Sequence, residues 1–379
     1  MNVLFVSNDP SIFIQGSAAR ERMQAYAEAI GELHIISRAP RGAREEVEGS
    51  LHLHAFRGGR LMAFFFMSDA ARTLIKKHGI EVVSAQDPFE HGAIALEACK
   101  GTEAKLHIQI HTDFLSPWFT RSGNPRALKL RVPLINYVRR MFADAVLPKA
   151  EGIRVVSKRI QESLVARYGN RIKEVSVLPV GLPSIPPSAV PLPEHGFSFA
   201  FITVSRLEPE KRIEDIFMAL ACLGPRLHSV GLIIVGEGSE RKKLEVLAGK
   251  LGLRERVVFL GERRDAWGLM RSAQAYIQAS AYEGYGRTLI EAALARIPII
   301  TTDVGIVGEV FKGYEHVLSV PPADPVNLVA QMYTLIEDHQ LRLKLVMSAE
   351  KVAREHLVPF GDQPRHIAED FQKLVSRTP

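Results

Sequence analysis

Cysteine is nearly missing from this 379-residue chain: Cys99 and Cys222 stand far apart, with no partners at metal-ligand spacing. That argues against a disulfide framework and against a zinc knuckle. Long apolar runs are missing as well. A membrane-spanning helix needs about 18–20 apolar residues, and the longest notable run, Leu61 to Met67, is far shorter. The opening M-N-V-L-F-V-S-N has neither the basic region nor the small-residue cleavage site of a signal peptide. A reduced, cytoplasmic protein is expected. Also absent are an Asp-x-Asp pair at a strand end, a P-loop lysine pattern and a G-x-S-x-G elbow. No motif demands a metal or a cofactor.

What is present suits two domains. The chain is 46% hydrophobic and 24% charged, enough apolar material for two cores. Its net charge of +6 is uneven: residues 1–180 hold 25 Lys and Arg against 18 Asp and Glu. Within that half, Arg121 to Lys173 holds 13 basic residues and only Asp144, Glu151 and Glu162 as acids. The positive field therefore lies in one half.

Strand-like and helix-like patterns alternate along the chain. In the first half, strands are expected at Val3–Val6, Leu33–Ser37, Leu51–Phe56, Ile80–Ala85, Leu106–His111, Ala145–Pro148, Gly152–Val156 and Val175–Leu178. Helices are expected at Ala18–Ile30, Ser68–His78, Ala93–Lys100 and Lys158–Tyr168. Phe114 to Phe142 is less regular, with aromatic and apolar residues among arginines and lysines, and is expected to form an interfacial surface. Gly181 to Gly196, with prolines at 183, 186, 187, 191 and 193, is expected to be a linker. A second alternating series follows. The expected architecture is α/β: two Rossmann-like domains, 1–180 and 181–359, with parallel sheets facing across a cleft. A last helix, near His366 to Val375, could belong to either half; the first domain is the preferred home for 360–379.

The richest stretch is Glu283 to Glu291, E-G-Y-G-R-T-L-I-E, between the strand Ala275–Ala279 and an apolar helix face. A strand-loop-helix junction of this kind aims free backbone N–H groups at an anion. Carboxylates on either side can accept hydrogen bonds from hydroxyls. The combination suits a ligand with a phosphate at one end and a polyol at the other. Arg206 and Lys211, in V-S-R-L-E-P-E-K-R after another strand, suit a diphosphate, because the guanidinium fork takes two oxygens and the ammonium adds a point charge. Alone, that loop could also be solvated charge, the less favoured reading. Gly236-Glu237-Gly238 is a tight turn that lets backbone approach closely. Gly16, between the first strand and first helix, permits the same approach or simply closes a loop. His111, at a strand end beside Asp113, is the strongest acid/base candidate among thirteen histidines; a hydrogen-bonded strand-end histidine is the plain alternative. Asp87 is better explained as a turn-forming Asp-Pro.

Together these motifs resemble, in order and spacing, the GT-B glycosyltransferases of family 4, also called glycosyl transferases group 1, which retain anomeric configuration. The resemblance covers nearly the whole chain and is densest from Thr203 to Asp324. It implies that Glu283 lies against the donor sugar with Gly284, Tyr285 and Gly286. It further implies that Gly16, Arg206, Lys211, Arg287, Thr288 and Leu289 surround the diphosphate. Glu291 would hold the ribose, with Gly236, Glu262 and Arg263 towards the base, and His111 would lie near the reaction centre. Departures are Gly16-Ser17 for paired glycines, Pro179-Val180-Gly181-Leu182-Pro183 for the usual P-N-G-V-D, and Arg287 where an apolar residue is common.

The activity so implied is transfer of a sugar from a UDP- or GDP-sugar to an acceptor hydroxyl, without metal, on a glycan or lipid-linked acceptor. A nucleotide-sugar 2-epimerase and a non-catalytic carbohydrate-binding protein are the alternatives. The basic, aromatic-rich face suggests docking to an anionic membrane, hence a peripheral location on the inner leaflet; a solvated basic face explains it too. Nucleic acid is not expected, because no recognition motif accompanies the charge.

Overall fold

The computed structural model describes residues 1–39, 45–57, 60–120, 131–183, 188–224 and 227–376, without the side chains of 60–65 and 131–133. The apolar-rich segments of the first half form β1 (Asn2–Ser7), α1 (Ala18–Ile30), β2 (Glu32–Arg38), β3 (Glu46–Glu48), β4 (Leu51–Phe56), α2 (Arg60–His78), β5 (Val82–Ala85) and α3 (Glu90–Cys99). They continue as β6 (Lys105–Ile110), α4 (Arg131–Val146), β7 (Gly152–Val155), α5 (Lys158–Tyr168) and β8 (Val175–Val177). In the second half come β9 (Phe199–Val204), α6 (Ile213–Cys222), β10 (Val230–Val235), α7 (Arg241–Lys250), β11 (Val257–Phe259), α8 (Ala266–Met270) and β12 (Ala275–Gln278). These are followed by α9 (Arg287–Leu294), β13 (Ile299–Thr302), β14 (Leu318–Val320), α10 (Pro325–Glu337), α11 (His339–His356) and α12 (Gln363–Ser376).

The chain divides into two compact units. One holds the described residues of 1–115, 129–181 and 358–379, and the other those of 116–128 and 182–357. In the first unit the sheet runs β3-β4-β2-β1-β5-β6-β7-β8, all parallel except the edge strand β3. Burial on both faces explains why β1 reads as a near-continuous apolar run, V-L-F-V, and why the interiors of β2 and β5 are buried throughout. One face packs on α1 and α12. Ile367, Ala368, Phe371 and Leu374 line the inner side of α12, and Phe5 meets Tyr26 and Phe371 edge-on at 6.5 and 6.0 Å. At the sheet, Asp370 of α12 accepts from Ser176 Oγ at 3.1 Å and lies 3.3 Å from His107 Nε2.

In the second unit the order is β11-β10-β9-β12-β13-β14, entirely parallel. The chain winds outward from β9 through β10 to β11, then restarts at β12 on β9's other side. Strand order therefore reverses between β9 and β12, and in open α/β sheets ligands bind beyond the carboxyl ends of the strands at such a switch point.

Three expectations need correction. Ala145–Pro148 is not a strand: Ala145 and Val146 end α4 and the next residues form a short 3-10 turn, Leu147–Lys149. Within the interval read as irregular, Arg131 onwards is helical, and Arg121 to Leu130 lie outside the described residues. Ser116 to Thr120 belong with the second unit, where Trp118 lies 5.7 Å beneath the Arg212 guanidinium and Phe119 meets Tyr282 at 5.8 Å. The described part of Gly181–Gly196 forms no helix or named strand; Pro186 and Pro187 lie outside the described residues.

Candidate functional site

The second unit's switch point gathers most of the singled-out residues. After β9 the chain passes Arg206 and a 3-10 turn, Pro209–Lys211, and then reaches Arg212 in the left-handed region at φ 47°. The strain is offset locally: the Arg212 guanidinium binds both oxygens of Asp215, at 2.6 and 2.8 Å. This fixes the direction of Lys211. Its Nζ lies 2.5 Å from Glu283 Oε1, in the loop after β12, and both side chains are only 14% exposed. Ser280 Oγ donates to the same oxygen at 2.8 Å. The two loops are also joined through backbone, Ala281 N donating to Glu210 O at 2.7 Å. Arg206 points outward, its side chain 72% exposed, and pairs with Glu210 at 3.1 Å.

The loop from Glu283 re-enters α9 through Gly286, at φ 90° and ψ 46°, a conformation that glycine adopts without strain. Arg287 and Thr288 follow as the first residues of α9, and their amides have no intrahelical acceptor by position. The Leu289 amide is already engaged, donating to Gly286 O at 2.9 Å. Thr288 ties this turn to the sheet: its Oγ1 accepts from Tyr276 OH at 2.9 Å and donates to Gln278 Oε1 at 3.1 Å. Tyr285 is buried, its carbonyl held by Ile306 N at 2.9 Å. At Gly305 an added Cβ would stand 2.4 Å from that carbonyl and 3.1 Å from Glu283 Cβ, so glycine is needed there for the loops to approach.

Glu291 lies one turn further along α9, and its side chain is 11% exposed. Arg287 Nε donates to its Oε1 at 2.7 Å. Burial pushes the Glu291 pKa above the ordinary carboxylate value, and the Arg287 charge and hydrogen bond pull it back. This gives Arg287 a structural role: it partners the carboxylate.

Gly236 follows β10 at φ 139°, and a Cβ there would lie 1.9 Å from Ser205 O. Its amide donates to Gly261 O at 2.7 Å, so the turns after β10 and β11 lie side by side. Glu262 and Arg263 follow and are exposed, Arg263 engaging Asp265 at 2.6 and 2.8 Å. At this end of the sheet the structure thus brings together Arg206, Lys211, Gly236, Glu283 and α9's first turn.

Gly16 and His111 belong to the first unit. Gly16 sits at φ 69° just before Ser17, whose Oγ caps α1 by accepting from Arg20 N. Among the described residues beyond its two chain neighbours, no atom lies within 4 Å of where its Cβ would be. His111 is the first residue beyond β6. Its ring reaches solvent, yet the density of protein around it, and then the charges of Arg154 and Arg22, depress its pKa below the ordinary imidazole value; Asp87 opposes them. Asp87 behaves as a turn former, accepting from Phe89 N at 2.7 Å and pairing with His91 at 2.5 Å.

Sequence reasoning missed Ser280, Gly305 and Gln278. Gln278, at the end of β12, is 4% exposed, and its Nε2 has no hydrogen-bond partner among the described residues. Ser280 and Gln278 could have been found from their place in A-Y-I-Q-A-S-A-Y-E, at the carboxyl end of an expected strand.

Comparisons with known proteins bear on the family and the fold. Residues 16–183 match the model of Glycosyltransferase Family 4, and residues 193–352 that of Glycosyl transferases group 1. The lipopolysaccharide 1,6-galactosyltransferase of Salmonella typhimurium is 32% identical over 216 residues, 54% of each chain. The UDP-N-acetylglucosamine–peptide N-acetylglucosaminyltransferase GtfA subunit of Streptococcus parasanguinis is 30% identical over 206 residues, 53% of this chain and 38% of that one. The chain spans about half the length of the curated relatives it matches. Among solved structures, sucrose-phosphate synthase from Thermosynechococcus elongatus aligns over 100% of both chains at TM-score 0.81 and 16% identity. Anabaena HepE, in complex with UDP-glucose, aligns over 98% of this chain and 100% of its own at TM-score 0.73 and 19% identity. At those identities the structural likeness establishes the fold alone: two parallel-sheet α/β units, the GT-B architecture.

Proposed function

We propose that this GT-B chain, assembled from a Glycosyltransferase Family 4 domain and a Glycosyl transferases group 1 domain, transfers a sugar from a UDP- or GDP-sugar to an acceptor hydroxyl. The observation that carries the proposal is the Lys211–Glu283 pair at the β9/β12 switch point, beside the first turn of α9. A ligand with a diphosphate and a sugar divides that pair between its two ends. Lys211 turns to the phosphate, and the released Glu283 accepts hydrogen bonds from sugar hydroxyls. Arg206 and the first amides of α9 add positive potential where charge accumulates on the departing diphosphate. Glu291 accepts from the ribose hydroxyls in place of Arg287. The turns at Gly236 and at Glu262–Arg263 border the base.

The transfer proceeds with retention. No enzymic nucleophile is required if the acceptor attacks from the face that the diphosphate leaves, and the departing phosphate takes the acceptor proton. The cationic side chains supply the charge that a metal would otherwise provide, so activity should survive chelation.

The acceptor is a glycan or a lipid-linked glycan at a membrane. Helix α4 favours it, with Leu134, Tyr137 and Met141 at 68%, 54% and 70% exposed beside Arg139 and Arg140. Exposed apolar side chains flanked by guanidiniums suit an anionic bilayer surface. No helix among the described residues is long and apolar enough to cross a membrane.

The test is incubation of the full chain with a panel of UDP- and GDP-sugars and envelope glycan acceptors, reading nucleoside diphosphate release and the anomer of the product. Donor-dependent transfer with retained configuration, lost on Lys211→Ala and Glu283→Ala, is the expected result. Isomerised donor without acceptor would replace the proposal with an epimerase, and binding without turnover with a carbohydrate-binding protein. Salt-sensitive sedimentation with anionic vesicles, weakened by Leu134→Glu/Met141→Glu, is expected of the membrane contact; sedimentation unaffected by the substitutions would remove it.

A further inference from the structure

The first sheet has a switch point of its own. From β1 the chain winds outward through β2 to β4, then restarts at β5 on β1's other side, so strand order reverses between β1 and β5. Ligands bind beyond the carboxyl ends of the strands at such a point. The loops leaving those two ends are joined there: Ser7 Oγ, at the end of β1, donates to Gln86 Oε1, just past β5, at 3.3 Å. Next along the chain stand Asp87 and, in the first turn of α3, His91. At Gly92 an added Cβ would lie 2.9 Å from Asp87 O, so glycine lets α3 close on this turn.

The turn uses only one oxygen of Asp87. Oδ1 accepts from Phe89 N at 2.7 Å, and Oδ2 stands 2.5 Å from His91 Nδ1. Burial by itself would raise this carboxyl's pKa, but the hydrogen bonds from His91 and from the backbone amides bring it below the ordinary value, so the group is an anion. A carboxylate only accepts, and the proton between the two side chains therefore belongs to Nδ1. In the neutral ring Nε2 is left with a lone pair. That atom has no hydrogen-bond partner among the described residues, and the His91 side chain is 14% exposed. A fixed tautomer with an open acceptor atom is more than the turn requires.

We propose that His91 and Asp87 select among the hydroxyls of the acceptor glycan. His91 Nε2 accepts from a hydroxyl that does not react, and so fixes which of its neighbours is left to attack; Asp87 is the positioning residue that holds the required tautomer. The assignment rests on sugar transfer being the chain's reaction, and it names side chains of the first unit that meet the acceptor. A hydroxyl fits because it is a neutral donor. A phosphate or carboxylate would bring a second negative charge beside Asp87 and offer no proton to Nε2. The charge of Asp87 also acts on His111, at the end of β6, so the pair shares a sheet edge with that residue.

The full chain, labelled with nitrogen-15 at histidine, reports the pair by magnetic resonance. The His91 signals, assigned by their loss in His91→Gln, should show Nδ1 protonated and Nε2 bare. Asp87→Asn should reverse them, because Phe89 N keeps Oδ1 and the new amide N–H faces Nδ1. The probes are the methyl glycosides of glucose, galactose, mannose and N-acetylglucosamine, with their monodeoxy analogues. One glycoside should shift the Nε2 signal saturably, and removing one of its hydroxyls should weaken binding about 3–10-fold. His91→Ala should bind that glycoside and its deoxy analogue equally, whereas His91→Gln, which can place an acceptor oxygen where Nε2 was, should keep part of the difference. An Nε2–H tautomer in the unsubstituted chain, His91 signals that no glycoside moves, or an undiminished deoxy penalty in His91→Ala would overturn the assignment. UDP and GDP titrations run alongside separate it from the donor site: glycoside binding without nucleotide binding upholds the pair and removes the donor reading, and nucleotide binding with unmoved His91 signals does the reverse.

Discussion

Replacing Lys211 with methionine tests the switch-point pair in two ways. The substitution keeps the stem's volume but leaves Glu283 with only Ser280 as a donor. Breaking a fully buried pair by removing one partner costs about 3–5 kcal/mol; discounting for the 14% exposure of each side chain leaves about 2 kcal/mol. For a unit of this size that is a drop in melting temperature of roughly 4–8 °C. Glu283→Gln should destabilise less, because its amide oxygen still accepts from Ser280. In the double variant no unpaired charge remains, so its stability should exceed the sum of the single losses by about 1–2 kcal/mol. Turnover behaves differently. Losing one preorganised charge at the leaving group should cost about 10²–10³-fold in kcat, and the double variant should not recover it. A double-mutant cycle by calorimetric melting, run beside a nucleotide-release assay, measures both quantities. Strict additivity in stability would refute the buried pair, and full turnover in Lys211→Met would refute the diphosphate role.

Other outcomes follow from single contacts. Burial raises the Glu291 pKa, so this group's contribution to folding is fully present at acid pH and is lost as pH rises through the ordinary carboxylate value to the raised one. Ribose recognition needs the ionised form, so the donor KM should rise as pH falls through that same value. In Arg287→Gln, with the opposing charge removed, the rise should begin at higher pH; a superimposable KM profile would show that Arg287 does not partner Glu291. Gly236→Ala should cost about 3 kcal/mol or more in urea unfolding, since its Cβ would overlap Ser205 O at 1.9 Å and φ is 139°. Thr288→Val leaves Tyr276 OH and Gln278 with fewer partners and should cost about 2 kcal/mol, with a further loss of donor affinity as α9's first turn loosens.

Much of the second unit was legible because parallel strands buried on both faces leave plain apolar runs, and each run ends where chemistry begins. The strand expected at Ala275–Ala279 is observed at Ala275–Gln278. The loop Glu283–Glu291 stood out because two glycines and two carboxylates interrupt apolar periodicity. Helix α4 was not legible for a physical reason: Leu134, Val138 and Met141 recur at helical spacing but face outward, so the stripe does not read as core. The apolar A-V-L-P that ends it imitates a strand. Association of Trp118 and Phe119 with the second unit depends on a ring beneath Arg212 and another beside Tyr282, contacts that no local pattern encodes. The meeting of His34 with His52 and His78 was hidden likewise, since it depends on strand register and on the end of a long helix. Arg287, unexplained in the sequence, acquires its role once Glu291 is seen one helical turn away.

The central claim is that the second unit's switch point holds a nucleoside diphosphate, and isothermal titration of the full chain with UDP and with GDP tests it most directly. One equivalent of one of them should bind, at least tenfold more weakly in Glu291→Gln and in Lys211→Met. Absence of saturable binding to either nucleotide, or equal binding in folded variants, would contradict the account.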